Sequence, residues 1–173
     1  MNIAFLIEGP DDEAFILEVV RPAVFSDFNF DFYHHAKKDN RALRQYIRNH
    51  RNIGFDTYLF LHDHDKPLIC NTNRKSQLLL KYPGVDAARL VLVVIEIESW
   101  YIAGVDIRLI PKGRRWTTNI EKVNKDKFSA IGKANGFGNT AAFRRFCLDN
   151  YDLELALSKS PSLRYLVGKI RDL

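Results

Sequence analysis

The chain has 173 residues, a formal charge of +5 and a pI near 9.2. That length predicts a single domain, 1–173, with a core of its own, and the two widely separated cysteines, Cys70 and Cys147, fit neither a disulfide framework nor a zinc knuckle. Met1 leads straight into a short apolar segment that meets Glu8, with no basic leader and no apolar run near the ~20 residues that span a bilayer, so a soluble, cytoplasmic protein without a membrane partner is expected.

The first hundred residues alternate strand and helix signals. Strands are predicted near 2–7, 30–34, 56–62 and 89–96, and helices near 11–21, 40–52, 72–81 and 97–103. This βαβ rhythm predicts an α/β fold, Rossmann-like, with a mainly parallel sheet and helices on both faces. Its core should span about 1–104, and a helical C-terminal extension about 105–173. The first strand ends at Glu8, after which Gly9 is expected to make a tight turn and Pro10 to start a helix. Asp11, Asp12 and Glu13 fall in that helix's first turn, where acids offset the positive end of the dipole. Glu8 has no dipole to offset. His34 and His35, at the end of the second strand, are expected at the surface.

The helix that Asp39 or Asn40 can cap carries Arg41, Arg44, Arg48 and Arg51 within one arc, and Leu43, Tyr46, Ile47 and His50 on the other side. It should have a core face and an arginine face, with Lys37 and Lys38 extending the positive patch. Next, Tyr-Leu-Phe-Leu-His-Asp-His-Asp at 58–65 is a strand that stops at two acids, Asp63 and Asp65. Pro83-Gly84 punctuates the chain before Val91–Ile95, an unbroken apolar run that reads as a central strand covered on both faces and that leads to Glu96 and Glu98. Beyond Gly104 the rhythm weakens into what reads as loops and short helices, including the basic segment Lys112-Gly113-Arg114-Arg115-Trp116. Order returns at Ser160-Pro161, an N-cap and first helical position, before a closing helix over about 161–171.

Three strand-like runs thus end in acid. Carboxylates gathered at one sheet edge repel one another unless something positive sits among them. A hard divalent cation fits, since Mg²⁺ takes one or two carboxylates together with water and substrate phosphate oxygens. Asp63 and Asp65, two residues apart on an extended backbone, point to one side and can share one ion or bracket two. His62 and His64 have the opposite phase and are expected as neighbours of the site, not as ligands. The arginine face and the basic loop suit phosphodiester binding.

Glu8-Gly9 after the first strand and Asp63-x-Asp65 after a later one resemble the Toprim domain of topoisomerases, DnaG-type primases and OLD-family nucleases. Glu96-Ile97-Glu98-Ser99-Trp100-Tyr101-Ile102-Ala103 and the late Ser158-Lys159-Ser160-Pro161-Ser162 look like the small RloB-like Toprim group found beside ABC-type ATPases in phage-defence loci. The resemblance spans nearly the whole chain. It implies a Toprim-like fold and a Mg²⁺- or Mn²⁺-dependent nuclease acting on DNA or RNA. Glu8 would be a general acid/base or a metal ligand, Asp63 and Asp65 catalytic metal ligands, and Asp12 a further ligand. Glu96 and Glu98 compete for the last acidic place, with Glu98 preferred. Ser99 is expected to cap the following helix, and Trp100 and Tyr101 to be core aromatics. Lys66, Arg114 and Arg115 join Arg41, Arg44, Arg48 and Arg51 as nucleic-acid-binding residues. Two other readings stay open. One is a regulatory or binding subunit of an ABC-type ATPase complex; the other is a phosphotransferase acting on small phosphoesters. The chain has no Walker-type loop of its own.

Overall fold

The computed structural model describes residues 1–24, 28–36, 38–64, 69–110 and 119–173. They gather into two compact units, Met1–Val93 and Val94–Leu173. The first is α/β: strands β1 (Asn2–Ile7), β2 (Asn29–His34), β3 (Thr57–Asp63) and β4 (Leu90–Val93) form one all-parallel sheet in the order β2-β1-β3-β4. After β1 the chain crosses to one side, and after β2 it crosses back to the other. The carboxyl ends of β1 and β3 therefore flank the topological switch point, where sheets of this kind leave a crevice for ligands.

Alternation along the strands builds the core. Ala4 and Leu6 of β1, Tyr58 and Phe60 of β3, and Leu90 and Leu92 of β4 share one sheet face and pack with Leu43 and Ile47 of α3 (Asn40–Asn49) and Leu78 of α4 (Asn71–Lys81). Leu43 and Ile47 are 3% and 7% exposed, and such burial stabilises by roughly 1.5–3 kcal/mol per side chain. Ile3, Phe5 and Ile7, on the opposite phase, are fully buried too, with Phe5 against the rings of Phe30 and Phe32. Asp39 caps α3 by accepting the Ala42 N–H at 2.7 Å. Helix α1 (Pro10–Phe15) starts on Pro10 and runs into a π-wound stretch at Ile16–Val20 and then α2 (Arg21–Val24).

The Val91–Ile95 run differs from expectation in two ways. Leu90–Val93 is buried, yet β4 stands at the end of the strand order, because apolarity reports cover on the faces and not rank within the sheet. The strand also stops at Val93. Ile95 has φ 63°, a left-handed conformation that strains a β-branched residue, so the chain leaves the sheet before reaching Glu96.

The second unit is helical: α5 (Glu98–Ala103), α6 (Lys125–Ala134), α7 (Thr140–Asp149), α8 (Leu153–Lys159) and α9 (Pro161–Arg171). Much of the stretch after Gly104, read as loops and short helices, is thus regular helix. Helices α6, α7 and α8 start on side-chain caps: Asn124, Asn139 and Asp152 accept the N–H groups of Lys127, Ala142 and Leu155. Ser160 caps α9 as expected. Trp100 and Tyr101 are fully buried, and the Trp100 indole donates to Ser162 Oγ at 2.8 Å. Glu121 accepts from the Ser162 N–H at 2.8 Å and the Ser160 hydroxyl at 3.2 Å. The Glu-Ser-Trp and Ser-Pro-Ser segments are therefore parts of one hydrogen-bonded core. Both cysteines are free, and among the described residues no helix is long and apolar enough to cross a membrane.

Candidate functional site

Glu8 follows β1 directly and Asp63 ends β3, so the switch point places the two acids side by side. The Asp63 main-chain N–H donates to Glu8 Oε1 at 2.9 Å. His62 Nδ1 lies 2.9 Å from the same oxygen and 2.8 Å from the Asp63 carbonyl oxygen. Facing two acceptors, Nδ1 is a donor. The Tyr82 hydroxyl, 3.3 Å from Nε2, holds the other end of the ring. Burial pushes the Glu8 carboxyl up, but the hydrogen bond and charge of His62 and the Asp63 N–H outweigh it and hold the group down at about 2. Glu8 is an anion across the neutral range.

Around this centre lie two further buried groups. Arg74, from α4, directs Nη2 toward the Asp63 carbonyl at 3.5 Å and is 7% exposed. His35 is only 3% exposed, which corrects its expected place at the surface. Its ring stacks on Phe60 at 4.5 Å and donates from Nε2 to the Leu61 carbonyl at 3.0 Å, reaching past the end of β1 to β3. Burial lowers its pKa, so the ring is neutral, and its Nδ1 has no hydrogen-bond partner among the described residues. His34 does lie nearer solvent, 2.8 Å from Glu13.

Other expected site residues are placed as follows. Asp12 is buried and its Oδ2 accepts the Gly9 N–H at 2.8 Å, tying the first helical turn back to the loop. Gly9 itself is extended, with φ −161°, and a Cβ there would meet nothing within 4 Å; no tight turn requires this glycine. Glu98 begins α5 in the second unit, is 4% exposed, and pairs with Arg144 at 3.5 Å. Its competitor Glu96 accepts the Lys125 N–H at the start of α6. The Ser99 hydroxyl donates to the Val94 carbonyl at 3.3 Å, so Ser99 does not cap α5; Ile97 holds that position. Arg41, Arg44 and Arg48 are exposed on α3 opposite Leu43 and Ile47, and Arg51 is exposed in the turn just beyond it. Asp65, Lys66, Arg114 and Arg115 lie outside the described residues, as does Lys37.

Among the described residues no three His, Cys, Asp or Glu side chains gather where they could hold one ion. The sequence signalled Glu8 and Asp63 through strand-end acids. It gave no sign of Arg74 or Tyr82, which reach this edge from a helix and a turn 11 and 19 residues beyond Asp63. No protein-family model, curated protein or solved structure matches the chain.

Proposed function

We propose that this protein is a Mg²⁺- or Mn²⁺-dependent nuclease, of Toprim-like build, that hydrolyses phosphodiester bonds in DNA or RNA as an effector of phage defence. The observation that carries this reading is the joining of Glu8 and Asp63 at the switch point, with Glu8 held ionised at about 2. A carboxyl held that low is a weak proton acceptor at neutral pH, so Glu8 suits a cation ligand better than a general acid/base. Glu8 and Asp63 would hold the cation, with Asp65 next along the chain as a third ligand. The bound cation would supply charge for the phosphoryl oxygens and lower the pKa of the attacking water. His62 keeps Glu8 Oε1 aimed, and Tyr82 keeps His62 in register. Asp12, engaged with Gly9, contributes shape and charge in this reading rather than direct ligation, and Glu98 is committed to Arg144.

Purified protein should cut DNA or RNA in Mg²⁺ or Mn²⁺ and stop in EDTA. Glu8→Ala and Asp63→Ala should each lower the rate on the order of 10²-fold or more, by removing a ligand of the cation. A folded, metal-bound wild type that cuts neither polymer sinks the proposal. A second reading, a non-hydrolytic subunit of an ABC-type ATPase complex, is favoured by one observation. Glu8 and Asp12 both accept main-chain N–H groups of their own fold, as acids with a structural role do. It predicts co-purification with the ATPase and undiminished protection by Asp63→Asn.

A further inference from the structure

The arginine face of α3 holds more than exposed charge. Arg41, Arg44 and Arg48, with Gln45 and Asn49, line an open hollow of about 640 Å³. Four other arginines pair with acids: Arg89 with Asp86, Arg108 with Asp106, Arg144 with Glu98 and Arg145 with Asp149. No hydrogen bond or ion pair engages Arg41, Arg44 or Arg48 among the described residues. The Arg44 stem is seated, since a Cβ on Gly84, at φ +115°, would lie 3.0 Å from Arg44 Cγ. Three like charges at positions i, i+3 and i+7 of one helix repel, and an anion laid along them relieves that repulsion.

The shape and lining choose the anion. Small-molecule sites are concave and mostly apolar, with a few polar groups that fix one ligand. Here every lining side chain is a guanidinium or a carboxamide, and the hollow is open. Single strands are held largely by stacking bases on aromatic rings, and no aromatic residue is among those that line it. At 1.5 Å rise per residue the three arginines extend over about 10 Å, a span that covers neighbouring phosphates of a backbone. The helix also begins at the acidic edge. Asn40 donates to the carbonyl of Lys81 at 2.9 Å, and the next residue, Tyr82, meets His62.

We infer that Arg41, Arg44 and Arg48 form a sequence-independent seat for the phosphate backbone of a base-paired nucleic acid, leading away from the Glu8–Asp63 edge. The inference rests on the nuclease reading for its choice of ligand. Gln45 and Asn49 donate further hydrogen bonds to phosphate or sugar, contacts that position a duplex without reading its bases.

The test is fluorescence-anisotropy binding in EDTA, so that nothing is cut, with two unrelated 20-base-pair duplexes, each as DNA and as RNA, and with the matching single strands. Wild type is compared with the triple variant Arg41→Gln, Arg44→Gln, Arg48→Gln, whose fold is checked by circular dichroism and thermal melting. Three phosphate contacts account for about 2.7 in the slope of log affinity against log salt on duplex DNA. The gap between wild type and variant should therefore narrow by about 40-fold between 50 and 200 mM salt. It should be alike for both sequences. Equal affinity and salt slope in the two proteins overturn the inference, as does a loss confined to single strands or to one sequence. Cleavage in Mn²⁺ is scored separately. A wild type that cuts nucleic acid while the variant binds as wild type does removes the arginine seat and leaves the nuclease reading standing.

Discussion

Glu8 is gripped by one main-chain N–H and one imidazole, and its chemistry follows from that grip. Because Nδ1 of His62 does the holding, His62→Asn keeps a donor near the same place while His62→Leu removes it. His62→Leu should weaken Mn²⁺ binding and cleavage about 10–100-fold, the usual cost of losing a group that orients a ligand, and His62→Asn should recover most of it. Calorimetric Mn²⁺ titration beside cleavage rates decides the matter; a His62→Leu protein with unaltered metal affinity would leave His62 a purely structural residue. The same grip has a pH signature. Glu8 is lowered from 4.5 to about 2 in the folded chain, so its ionised form adds stability above the unfolded value and loses it as pH falls through the folded one. Chemical denaturation should show wild type more stable than Glu8→Gln by a constant margin above about pH 5.5, with about 2–3 kcal/mol of that margin disappearing between pH 5 and 2. A margin independent of pH would show that Glu8 is not so held.

Among the elements, the helices of the second unit show how much a close approach can decide. A Cβ on Gly104 would fall 2.6 Å from the Tyr151 ring, which is pinned by its hydroxyl bond to the Trp100 carbonyl and by the Asp152 N–H bond to Gly104 O. Gly104→Ala should destabilise by about 1–3 kcal/mol, the range for forcing a methyl into a filled core, as measured by urea unfolding. An unchanged midpoint would mean that the ring yields. In the first unit, β1, β2, β3, α3 and α4 were legible because apolar period and cap residues agreed with the tertiary outcome. The helices at 125–134, 140–149 and 153–159 were less so, although Asn124, Asn139 and Asp152 are cap residues in plain view. Glycines stand at 132, 136 and 138 and interrupt the apolar pattern there. Gly132 is in fact inside α6 beneath the Phe143 ring, a packing glycine that no local pattern distinguishes from a turn.

For the whole molecule, metal binding is a linkage experiment. A cation that binds the folded chain and not the unfolded one adds about 2.7 kcal/mol at a concentration of 100 Kd, which for a chain of this size raises the melting temperature by about 5–10 °C. Saturating Mn²⁺ should do this for wild type and fail for Asp63→Ala, read by differential scanning calorimetry with EDTA as the control. If Met1–Val93 and Val94–Leu173 melt as separate transitions, only the transition of the first should move, since Glu98 of the second is committed to Arg144. Movement of both would return Glu98 to the ligand set. By itself the sequence determined the α/β alternation, the arginine face of α3 and the acids at the ends of the first and third strands, because local periodicity and residue chemistry fix these within a few residues. Only the tertiary structure decided that β1 and β3 are neighbours across the switch point, that His62, Tyr82 and Arg74 surround Glu8 and Asp63, and that Glu98 faces an arginine. Those are meetings of residues far apart in the chain, set by strand order and packing, and they leave no spacing in the sequence from which to read them.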